Sequence, residues 1–158
     1  MKKKITSIFL ILALLFMSVS VSGTDALAKE KYINNKNFRG TFTSDGEECT
    51  LESGGYEVVI GNISSDGTVK LQLHRWSANV GHISETGIIT EKIKGNKVSF
   101  TFIDGYDCSK EKGTITFNKD KTIFLKVKVL EEVEFSGYSL RIDKTRFERA
   151  SKKHKLYE

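Results

Sequence analysis

The chain has 158 residues and a mass of 17.8 kDa, which leaves room for one domain of ordinary size. Hydrophobic residues make up 39% and charged residues 28%, a globular balance that excludes disorder. Proline is absent, so collagen-like and polyproline architectures are excluded, and two cysteines are too few for a zinc knuckle or a dense disulfide scaffold.

The chain opens with Met1-Lys2-Lys3-Lys4, a cationic stretch, followed by an apolar run from Ile5 to Val21. Ala26-Leu27-Ala28 then offers small residues at the spacing a signal peptidase cuts. Residues 1–28 are therefore expected to be a signal peptide cleaved after Ala28, giving a secreted product that starts at Lys29. An uncleaved anchor is the rival, but the run is short of the roughly 20 residues of a spanning helix and carries several hydroxyls. No cysteine stands at a lipidation position. Contact with a membrane is thus expected only through the transient leader. The cationic start and long apolar core resemble the signal peptides of Gram-positive bacteria. Without the leader the formal net charge falls from +5 to +3. Residues 141–158 alone sum to +4, so the basic character lies in the C-terminal segment.

Residues 29–37 are polar and rich in asparagine. Period-two alternation follows, as in Val69, Leu71 and Leu73 or Val98, Phe100 and Phe102, the pattern of strands with one buried face. Turn signals such as Asp45-Gly46, Asp66-Gly67, Gly95-Asn96, Asp104-Gly105 and Ser136-Gly137 punctuate it. Strands are expected at Phe38–Ser44, Cys49–Ser53 running on through Tyr56–Ile63, Thr68–Ser77, His82–Ile93, Lys97–Asp104, Gly113–Phe117, Thr122–Glu131 and Tyr138–Phe147. Short connections favour sequential antiparallel pairing. The expected fold is all-β, an up-and-down meander of about eight strands closing into a small barrel over residues 38–148, with an open β-sandwich as the alternative. Residues 149–158 form a basic tail. Thr145–Lys155 would add a helical turn or two, or stay mobile.

The stretch from Gly95 through Val98, Phe100 and Phe102 to Tyr106, followed by Lys112–Phe117 and Ile123–Val127, resembles small lipocalin-like (calycin) barrels of bacterial secreted proteins. Phe38–Phe42 and Tyr138–Phe147 fit the first and last strands of such barrels. The resemblance implies a fold, and functions as varied as ligand carriage, copper-stress sensing and lysozyme inhibition. Gly40-Thr41-Phe42 stands where true lipocalins carry Gly-x-Trp, and no lysozyme-inhibitor signature is present.

Cys49 follows the first turn and Cys108 lies in the turn after the fifth strand, so both fall at one barrel rim, and export permits a bridge between them. The rivals are a reactive cysteine, which lacks a local CxxC or Cys–His motif, and two unpaired thiols. His74 and His82 flank the turn at Ala78–Gly81, with His74 facing about Glu85 and His82 near Ser77. Such a pair suits acid–base work, or is a solvated cross-strand pair. A metal site would need a third ligand, and neither metal nor cofactor is expected. Trp76, beside Arg75, either lines a rim or packs the base of the core. Asp104, Tyr106 and Asp107 occupy the Cys108 turn, where two carboxylates could seat an ion or sugar but more simply build the turn. Arg149, Lys152, Lys153 and Lys155 are the candidates for contact with a polyanion, against the plain reading of a solvated tail. No motif supports specific nucleic-acid binding. Asn62-Ile63-Ser64 is a glycosylation sequon, relevant only to a eukaryotic source.

The expected function is that of a secreted, non-enzymatic, monomeric barrel. It would bind a cell-wall polymer, a secreted protein or a small apolar ligand through the rim formed by His74, Arg75, Trp76, His82, Asp104, Tyr106 and Asp107. The alternative is a small secreted enzyme using His74, Glu85, Asp104 and Asp107. Convergence of those four in one cleft would favour it, and scatter would count against it.

Overall fold

A computed structural model describes residues 30–106, 108–133 and 141–157. The leader, Asp107, the Ser136-Gly137 turn and the start of the last expected strand lie outside these residues. Among those described, no helix is long and apolar enough to cross a membrane.

The chain is all-β. Among the described residues a single helical turn, α1 (Asn35–Phe38), precedes nine strands: β1 (Gly40–Thr43), β2 (Gly55–Ile63), β3 (Thr68–Ser77), β4 (Gly81–Glu85), β5 (Ile89–Lys92), β6 (Lys97–Ile103), β7 (Lys110–Phe117), β8 (Ile123–Glu131) and β9 (Ile142–Ser151). All pairings are antiparallel, in the order β4-β3-β2-β1-β9-β8-β7-β6, with β5 also on β3. The first and last strands are neighbours, so one meander runs outward from each side of their junction. Register shifts in five of the eight pairings bend the sheet. The sheet curls into a half-barrel whose edges are β6 on one side and β4 with β5 on the other.

The alternating positions point inward as their pattern requires. Val69, Leu71, Leu73, Phe100, Phe102, Ile115, Phe117, Leu125 and Val127 are all buried in one core. Gly113 leaves room there for the Phe100 ring: a Cβ on Gly113 would lie 2.2 Å from a Phe100 ring carbon.

Four expectations change. Phe38 ends a helix instead of opening a strand. Asn34 caps that turn by accepting the Asn37 N–H, and Phe38 packs edge-on against Phe117 at 5.0 Å. With Tyr32 donating to the Phe117 carbonyl, the segment after residue 29 closes one barrel end instead of being merely polar. The β1–β2 connection is a loop through residues 51–54, not a strand from Cys49. The expected strand His82–Ile93 is broken into β4 and β5. At the break the Thr86 hydroxyl accepts the Leu73 N–H, a bond the sheet backbone would otherwise supply. Finally, Thr145–Lys155 forms no helix. It is β9 as far as Ser151, then an extended segment lying across the outer face of β1–β3.

That last feature explains why β1 is buried at all four residues. Phe42 faces the core, while Thr41 and Thr43 face outward beneath other chain. The Thr41 hydroxyl donates to the Lys153 carbonyl.

Candidate functional site

The outward residues of β2 and β3 include Glu57, Val59, Gln72, His74 and Trp76. Alternation marks them as a solvent face, yet Glu57, Gln72 and His74 are 6%, 0% and 4% exposed. The C-terminal segment covers them. Leu156 rests on Gly61, where a Cβ would come within 2.6 Å of its side chain. Gln72 grips the backbone of Tyr157 at two points. Its Nε2 donates to the Tyr157 carbonyl (2.8 Å) and its Oε1 accepts the Tyr157 N–H (2.8 Å). The same Nε2 donates to the Thr86 carbonyl at 2.7 Å.

His74 lies between two partners. Its Nε2 is 3.2 Å from Gln72 Oε1, and its Nδ1 is 3.6 Å from Glu57 Oε2. Glu57 Oε1 accepts the Cys49 N–H. On β4, His82 and Glu85 form a second pair at 3.3 Å. The rings of His74, Trp76 and Tyr157 surround His82, with centroids 5.3, 5.3 and 6.5 Å away.

Between this sheet face, the β1–β2 loop and the C-terminal segment runs a groove of about 670 Å³, lined by Glu48, Cys49, Glu57, His74, Trp76, Lys153, Lys155 and Tyr157 among others. A pocket of about 260 Å³ adjoins it on the far side of Tyr157, walled by His74, Trp76, His82, Glu85 and Tyr157. The Trp76 indole N–H is buried in the shared wall and donates to no protein atom. Lys153 pairs with Glu48 at 3.0 Å, and Lys155 lies over the Tyr157 ring. Hydrogen bonds from Ser151 and Lys153 hold the Glu48 carboxyl below its usual range.

The expected rim residues divide between two surfaces, because successive side chains on a strand point to opposite faces. His74, Trp76 and His82 line the outer groove. Arg75 turns the other way, its guanidinium 4.8 Å from the Tyr106 ring and 5.9 Å from that of Tyr56. Asp104 is buried beside them and accepts the Tyr106 N–H, the bond that builds the turn. Asp107 lies outside the described residues. The register sets His74 against Glu85, as the hairpin suggests, but His82 against Trp76 and not Ser77, because of the irregularity at Arg75/Trp76.

The bridge expected between Cys49 and Cys108 is not formed, and both thiols are free. The two loops do share an end of the barrel. However, β2 is separated from β6 and β7 by β1, β9 and β8 in the sheet order, so they occupy different walls. Cys49 also sits on the outer face, against Gly55 and Glu57. Burial, then the charges of Glu57 and Asp45, push its thiol pKa up to about 12, which makes it a poor nucleophile.

Of the polyanion candidates, Lys152, Lys153 and Lys155 are exposed. Arg149 is not available: its guanidinium donates to the Asn37 carbonyl and ties β9 to α1. Among the described residues, no group of three or more His, Cys, Asp or Glu is placed to hold a metal ion. Sequence reasoning missed Glu57, Gln72 and Tyr157. Glu57 stands in a stretch without clean alternation, and a register shift between Ile60 and Asn62 decides that it faces His74.

Compared with known proteins, the chain matches no family model, no curated sequence and no solved structure.

Proposed function

We propose that this chain is a secreted, non-enzymatic binding protein that takes its partner in the outer groove, not inside the barrel. The interior is occupied by the rings of Phe38, Phe42, Phe117 and Phe147 and by aliphatic side chains. The groove, by contrast, is an open space of about 670 Å³ on the outer face with Trp76 in its wall, and that space carries this reading. Its walls add the Tyr157 ring and the ammonium groups of Lys153 and Lys155. That set suits a polar, anionic ligand with a flat or sugar-like face for the aromatic rings, such as a segment of anionic cell-wall polymer. The lipocalin-like resemblance fits a binding module, although with its site moved to the outer face.

Trp76 is the only tryptophan, so its fluorescence reports on the groove alone. Titration with a purified phosphate-bearing wall polymer is expected to give a saturable spectral change that weakens with salt. The Lys153→Ala/Lys155→Ala double variant should weaken it further. An unchanged spectrum with anionic polymer, or an equal response to a neutral glucan, would reject the reading. The second reading, a small enzyme, rests on the His82–Glu85 pair lining the smaller pocket. Release of low-mass fragments during the same titration, lost in His82→Gln, would favour it.

A further inference from the structure

Beyond Ser151 the chain lies on the sheet as a bound peptide would. The β9 ladder ends there, and among the described residues no backbone–backbone hydrogen bond joins residues 152–157 to β1–β3. Side chains of the sheet hold the segment instead, and what they hold is its backbone. The Thr41 hydroxyl donates to the Lys153 carbonyl, while Gln72 donates to the Tyr157 carbonyl and accepts the Tyr157 N–H. Main-chain contacts of this kind supply affinity for an extended segment, and pockets for single side chains supply selectivity.

Both parts of such a site are present. Gln72 is fully buried, and each end of its amide has a second partner outside the segment. Its Nε2 donates to the Thr86 carbonyl at 2.7 Å, and its Oε1 lies 3.2 Å from His74 Nε2. The amide is therefore oriented by the sheet itself, and a clamp set in advance lowers the ordering cost of binding. The pocket is at Gly61, the extra residue where the β2–β3 register shifts between Ile60 and Asn62. Its φ is not in the left-handed region, so the backbone does not call for glycine. Leu156 does: a Cβ on Gly61 would lie 2.6 Å from its Cδ1 and 2.9 Å from its Cγ. The next ring, Tyr157, packs 5.5 Å from that of His74.

We propose that the outer face of β2 and β3 is a binding site for extended peptide segments, and that residues 152–157 are its resident, displaceable ligand. The contacts set the class of partner. It is an extended segment with an aliphatic residue for the Gly61 seat, followed directly by an aromatic residue whose backbone N–H and C=O meet Gln72. A basic residue earlier in the segment meets Glu48, as Lys153 does at 3.0 Å. In the absence of such a partner the chain's own C-terminal segment covers the face and keeps Glu57, Gln72 and His74 from water. The anionic-polymer reading uses the ammonium groups of this segment, whereas the peptide site is the sheet beneath it, so the two are tested apart.

The test keeps the full chain. Leu156→Asp sets a carboxylate against the Gly61 seat and frees the segment, with circular dichroism to confirm the fold. A capped, fluorescently labelled peptide of residues 152–157 is titrated with each protein and its anisotropy read. It should bind the Leu156→Asp chain about tenfold or more tighter than the wild type, whose own segment competes for the face. Adding Gly61→Ala to the Leu156→Asp chain should weaken the peptide about tenfold or more, because the new methyl fills the leucine seat. Hydrogen exchange of the wild type gives a check that needs no variant. The Tyr157 amide should exchange about a hundredfold or more faster than the best protected amides of β3, since the segment lifts while the sheet stays folded. Equal binding to the folded Leu156→Asp and wild-type chains would overturn the proposal, as would binding that survives Gly61→Ala. So would a Tyr157 amide that exchanges only on global unfolding. Failure of polymer to change Trp76 fluorescence would bear on the earlier reading and leave this result standing.

Discussion

Replacing Gly113 with alanine tests the packing inside the β6–β8 wall of the half-barrel. Gly113 lies on β7 directly opposite Phe100 of β6 and beside Val127 of β8. Its φ is not in the left-handed region, so alanine meets no backbone objection. In an open strand position the change would stabilise by about 0.4–1 kcal/mol, through a less flexible unfolded chain. Here the new methyl would lie 2.2 and 2.4 Å from two carbons of the Phe100 ring. The ring is 3% exposed and packs 5.9 Å from Phe102, so it has nowhere free to move. Overpacking of this kind costs about 1–3 kcal/mol, which outweighs the entropic gain. At roughly 4 °C per kcal/mol, the melting temperature should fall by several degrees, measured by circular dichroism with urea unfolding alongside. Phe100→Leu in the Gly113→Ala background should recover part of the loss, because the added methyl then fills space the ring vacated. A Gly113→Ala protein as stable as the wild type, or more so, would refute the placement of the ring over the glycine.

Two further expectations concern single groups. With native protein at neutral pH, a thiol reagent should label exposed Cys108 and leave Cys49 untouched until unfolding, since the Cys49 thiolate is scarce far below about pH 12; mass mapping of the labelled peptides decides it, and a chain that takes no label until reduced would contradict the free thiols. Asp66 has its carboxyl pKa held low by Lys92, then by Ser64 and Thr68, so the stability it contributes is present above its unfolded value, about 4, and lost as pH falls through the lower folded value. Asp66→Asn should therefore be less stable than wild type at neutral pH, with the gap closing in acid; a gap that is constant or widens toward low pH in paired urea titrations would reject the assignment.

Most of the strand framework was legible because alternation is local. Each of Val69, Leu71 and Leu73 points inward for a reason contained in its own segment, and β3 runs from Thr68 to Ser77 as its pattern suggests. The break at Thr86 was not legible. A hydroxyl standing in for a backbone acceptor becomes visible only when its partner strand is in place. The disulfide expectation located both cysteines at one end of the meander correctly. It could not see which wall each would occupy, since that depends on β1 and β9 closing the sheet between them.

The candidate site divides along the same line. His74, Trp76 and His82 stand out by residue type and by their place around one hairpin. Alternation along β3 also marks Gln72 as outward-facing, and from that alone it reads as solvated. What buries it is a segment 85 positions away, brought back by β9 pairing with β1. Periodicity along a strand determines which face a side chain takes. Only the tertiary structure decides whether that face meets water or another part of the chain, because the covering segment lies outside any window in which the pattern can be read.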